Sequence, residues 1–125
     1  MSRKIFLDAF FNQFTSFLKE LGTMYPDDPD FPGFVSTIGL IRNTNPMLAV
    51  NFIKTEIIDI YQDKISQRDE EFFLNESYSE KQDVDLNIIR KLKEYISTMT
   101  PESKEVVWQY IELLMKLTLK ILESV

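Results

Sequence analysis

At 125 residues, 44% of them hydrophobic, the chain is one domain long and can bury a core without staples. Its net charge of −6 repels phosphate, so neither nucleic acid nor an anionic membrane is an expected partner. It has no cysteine and no histidine, which excludes disulfides, thiolate nucleophiles, iron–sulfur clusters and Ser-His-Asp triads and leaves only all-oxygen metal sites.

The apolar spacing is helical almost throughout. Leu7, Phe10, Phe11, Phe14, Phe17, Leu18 and Leu21 recur at three and four residues and predict a first helix, with Gly22 as its stop. The stretch YPDDPDFPGF, residues 25–34, then carries three prolines, which forbid a continuous helix over 24–32. Asp30 is expected to cap a short second helix marked by Phe34, Val35, Ile38 and Ile41, with Pro32 in its first turn. Asn45 and Pro46 then predict the cap and first position of a third helix through Val50, Ile53, Ile57, Tyr61 and Ile65. This helix is expected to run on through SQRDEEFF, where Phe72 and Phe73 fold onto the core.

Residues 75–83 read as the longest loop. Ile88, Ile89, Leu92, Tyr95, Ile96 and Met99 mark a fourth helix, and Thr100, Pro101 and Glu102 open a fifth. In that last helix the polar positions, Glu105, Gln109, Glu112, Lys116, Lys120 and Glu123, form one narrow stripe, with Glu112 set four residues before Lys116. The rest is apolar over a wider arc than a surface helix normally buries. Either the helix is central, or its second face binds a partner or a second copy. The fold expected is all-α, a single domain over 1–125, built as a compact antiparallel bundle of four or five helices.

Three sets of residues invite a chemical reading. The acidic loop fails as an EF-hand, because counting from Asp28 places Pro32 and Gly39 where ligands are required. It fits a joint between helices better. An enzyme using a divalent cation held by Asp27, Asp28 and Asp30 is the rival reading. Glu56, Asp59 and Asp63 share a helix face, but a di-iron bundle adds Glu-x-x-His motifs that this chain cannot make. Arg90, Lys91 and Lys93 read as a solvated face.

The order MYPDDPDFPGF, TNP, DEEFFL and VWQYIELLMKL resembles short acidic helical proteins encoded by large nucleocytoplasmic DNA viruses, including those of algae and protists. That resemblance spans most of the chain and transfers no functional residue. It implies an infected-cell or virion setting.

The expected function is a non-enzymatic interaction or structural module without a cofactor, acting by self-association, as in a homodimer, or by docking to another protein. A minor capsid or scaffold component is the alternative. The candidate partner-binding residues are Trp108, Leu113 and Leu117 on the last helix and Tyr25, Asp27, Asp28, Asp30 and Phe31 in the loop. The N-terminus has a basic start, but its apolar run is broken by Asp8, Asn12 and Gln13, and no run reaches the length of a membrane span, so an intracellular, cytoplasmic protein is expected.

Overall fold

A computed structural model describes residues 2–69 and 88–123. Every regular element among these residues is helical: α1 (Ser2–Met24), α2 (Asp30–Thr44), α3 (Pro46–Ile53), a π-helical turn (Lys54–Ile58), α4 (Asp59–Ser66), α5 (Ile88–Ile96) and α6 (Pro101–Glu123). Because α3, the π turn and α4 run on as one rod, the described chain has five helical rods. None of the described helices is long and apolar enough to cross a membrane. Phe72, Phe73 and the loop expected at 75–83 lie outside the described residues.

The Phe-rich stripe of α1 is core. Phe10, Phe11, Phe14, Phe17, Leu18 and Leu21 are all buried, each stabilising the fold by about 1.5–3 kcal/mol. Gly22 does not stop this helix, which continues to Met24. A Cβ at Gly22 would meet only an ordinary contact with Phe31 at 3.6 Å, so the position does not require glycine. The stop comes from Pro26, which disfavours helix at Tyr25.

The chain then returns antiparallel along α1. Gly22 faces Phe31 at one end, and Arg42 of α2 donates to Asn12 at 3.0 Å and Asp8 at 3.3 Å at the other. At the next junction Asn45 precedes Pro46, which takes the first helical position, but the Asn45 side chain makes no capping hydrogen bond.

The π turn has a packing reason. Ile53, Ile57, Tyr61 and Ile65 are buried at strict four-residue intervals, and that spacing drifts around a helix of about 3.6 residues per turn. One wider i→i+5 turn takes up the drift and lets Ile57 and Ile58 both face inward.

Contrary to expectation, the rod ends at Ser66. Arg68 is left-handed, with φ 53°. The N–H of Arg68 bonds to the carbonyl of Ile65 at 3.0 Å, and that of Asp69 to the carbonyl of Lys64 at 2.8 Å. This is a Schellman closure with arginine where glycine is usual.

The last helix opens as predicted. Thr100 Oγ1 accepts the N–H of Ser103 at 3.1 Å, with Pro101 first in the helix and Glu102 in its first turn. The wide apolar arc of α6 is explained by two neighbours, since α6 packs against α1 on one side and the α3–α4 rod on another. Its one buried hydroxyl, Thr118, donates to the carbonyl of Leu114 at 2.8 Å, so it costs little.

Candidate functional site

The residues of the acidic loop meet α5 in one network. The N–H of Tyr25 still reaches back to the carbonyl of Leu21 at 3.0 Å, but Pro26, Pro29 and Pro32 keep the helix from continuing beyond it. The loop closes on itself instead: the N–H of Asp28 donates to the carbonyl of Tyr25 at 3.1 Å, and the N–H of Asp30 donates to Asp28 Oδ1 at 2.9 Å. Asp28, not Asp30, therefore satisfies the start of α2. Asp30 sits inside the first turn, where its charge complements the helix dipole.

Asp28 Oδ2 faces α5. It accepts from the Tyr95 hydroxyl at 2.5 Å and from Lys91 Nζ at 2.9 Å. The carboxylate is 7% exposed. Hydrogen bonds from the Tyr95 phenol, the Asp30 N–H and Lys91 hold its pKa down at about 2. The Lys91 ammonium also lies 2.7 Å from Asp30 and 3.7 Å from Glu94. Asp30 and Asp28 together stabilise its charged form and raise its pKa. The Tyr95 pKa rises because its hydroxyl donates to Asp28, and burial raises that of Tyr25. The Tyr25 and Tyr95 rings stack with centroids 3.8 Å apart, and Phe31 closes the apolar side at 6.3 Å from each.

Lys91 is thus no part of a solvated basic face. It is a largely covered cation between two acids. Its position bears on the divalent-cation reading as well, because Asp28 and Asp30 are directed at the ammonium. Among the described residues no group of three or more acidic side chains is arranged to hold a metal ion. Of the acidic set on the rod, Asp59 pairs with Lys54 and Asp63 is exposed.

Beside this network lies an open cleft of about 550 Å³. Tyr25, Pro26, Pro29 and Tyr95 form much of its wall, and Asp27 and Asp30 its rim. Asp27 and Asp30 are exposed; Tyr25 is half-buried. Phe31 is buried at 1% exposure and belongs to the core, not to an accessible surface.

The last helix divides the same way. Trp108, 4% exposed, is core and cannot anchor a partner from the surface of the folded chain. Leu117 is half-buried and packs against the core. Leu113, at 37%, is the exposed apolar residue of α6. Ile5 and Leu40 are more exposed, at 63% and 64%, but stand on other helices, and single apolar residues on a surface are ordinary. Glu112 accepts from Arg68 at 3.0 and 3.1 Å, and Glu105 accepts from it at 2.6 Å. The acid expected to serve Lys116 thus serves the helix-closing arginine.

Sequence reading missed two partners, Lys91 for the loop and Arg68 for α6. Lys91 and Tyr95 stand four apart and so share one helix face, a signal that Asp28 could have been matched to. Nothing local marks Arg68. Comparison with protein families, curated proteins and solved structures finds no match to this chain.

Proposed function

We propose that the chain is a non-enzymatic helical docking module, working in the viral setting its resemblance implies, with the cleft between the Tyr25–Asp30 loop and α5 as its partner surface. The observation that carries this reading is the preorganisation of the cleft. Three hydrogen bonds on Asp28 and a stacked tyrosine pair fix the wall before any partner arrives. A surface ordered in advance spends less of its binding free energy on ordering.

The test is photo-crosslinking from single positions in the intact chain. A crosslinker at exposed Asp27 should give a discrete adduct that one at exposed Asn43, on α2, does not. Equal labelling from both positions, or from neither, removes the cleft as the docking surface.

A second reading is self-association through α6, where Leu113, at 37% exposure, is the apolar residue its two neighbours leave uncovered. Light scattering over a dilution series separates the two: a mass that falls from dimer to monomer supports self-association, and a monomer near 14.8 kDa throughout excludes it.

A further inference from the structure

The cleft already holds one organic cation, and it comes from the chain itself. Lys91 crosses from α5 to place its ammonium against Asp30 at 2.7 Å and Asp28 at 2.9 Å. That ammonium satisfies the inner carboxylate oxygens only. Asp30 pairs through Oδ2 and keeps a side chain 53% exposed, and Asp27 is exposed on the same rim. The rim and wall hold Asp27, Asp28 and Asp30 against the single charge of Lys91, so the local balance is negative even with Lys91 in place.

We infer that the cleft takes an extended, arginine-bearing segment of a partner protein, with a guanidinium on the outer edges of Asp27 and Asp30 and its stem along Tyr25 and the adjoining prolines. This rests on the docking reading above and adds the chemistry of the partner. Arginine fits better than lysine for two reasons. Its planar fork matches carboxylates with paired hydrogen bonds, and its face stacks on aromatic rings. A bare metal ion fits worse, because the inward oxygens are already occupied by Lys91. An anionic partner meets a net-negative rim.

The test is a titration of the isotope-labelled full chain, followed by backbone amide NMR shifts, with three short peptides. One alternates arginine with valine. The second replaces each arginine by citrulline, which keeps the shape and loses the charge. The third carries glutamate instead. The expected result is that the arginine peptide moves the amides of Tyr25, Asp27, Asp28, Asp30 and residues 91–95, that citrulline weakens binding about tenfold or more, and that binding falls as salt rises. Asp27→Asn, at an exposed position that the fold does not use, should weaken the arginine peptide and leave the spectrum elsewhere unchanged.

Equal binding of the citrulline or glutamate peptide at the same amides overturns the arginine assignment and leaves cleft docking standing. If none of the three moves the cleft amides, the arginine assignment falls and cleft docking loses its support too.

Discussion

Asp28→Asn is the substitution that weighs the joint between loop and α5. It preserves shape and removes the charge that Tyr95, the Asp30 N–H and Lys91 all address. The carboxyl pKa falls from 3.8 to about 2 in the folded chain. At about 1.4 kcal/mol per tenfold change in proton affinity, that is on the order of 2 kcal/mol. The folded pKa lies below the unfolded one, so this stability is present above pH 3.8 and is lost as pH falls toward 2. Urea unfolding followed by circular dichroism measures it at a series of pH values. Near neutrality the variant should be weaker than the parent by roughly that amount. The gap should shrink below pH 4 and close near pH 2. Other acids titrate in both proteins, so the difference isolates Asp28. A gap that stays constant from neutral pH to pH 2 would refute the reasoning, because the loss would then come from packing and not from ionised Asp28.

The remaining expectations concern α6 and the end of the rod. Thr100→Ala removes the cap from Ser103 and should lower stability by about 1 kcal/mol in the same urea assay. Trp108→Ala should cost about 3–5 kcal/mol, whereas Leu113→Ser should stay within about 0.5 kcal/mol; a Leu113→Ser protein that fails to fold would make that face core and end the self-association reading. Arg68→Gly and Arg68→Ala both lose the contacts to Glu105 and Glu112, but only glycine relieves the left-handed backbone at φ 53°. Thermal melts should therefore rank Gly above Ala, and equal melting points would show that the backbone there carries no strain.

Periodicity carried the fold because most helices here bury one stripe each. The Phe positions of α1, the Ile and Tyr positions of the rod, and Leu92, Ile96 and Met99 all fell on the inner face that their spacing implied. Local stereochemistry carried the prolines and Thr100. What could not be read depends on residues distant in sequence. Lys91 reaches Asp28 across 63 positions, and Arg68 reaches Glu112 across 44. A charge meets its nearest acid in space, and a helical pattern holds no record of which acid that is. The π turn is hidden for another reason: the spacing that requires it is four residues throughout, which also suits an α-helix over two turns. Trp108 and Phe31 fit core and partner anchor alike by residue type, because large aromatics dominate both, and burial in the structure decides for core.

The acidic loop shows why joint and docking surface need not be rival readings of YPDDPDFPGF. A carboxylate has two oxygens and about four lone-pair directions. Asp28 spends both of its oxygens inward, on Tyr95, Lys91 and the Asp30 N–H, and is covered as a result. Asp30 gives one edge to Lys91 and presents the rest to solvent; Asp27 lies wholly on the rim. Burying Asp28 without those donors would be costly, so Lys91 and Tyr95 are what allow an acid at the base of the loop at all. Once Asp28 is fixed, the prolines fix the spacing of Asp27 and Asp30 around it. The structural role of the inner acid thus sets the geometry of the outer pair, and any partner of the cleft must be complementary to two carboxylates whose positions the fold has already chosen.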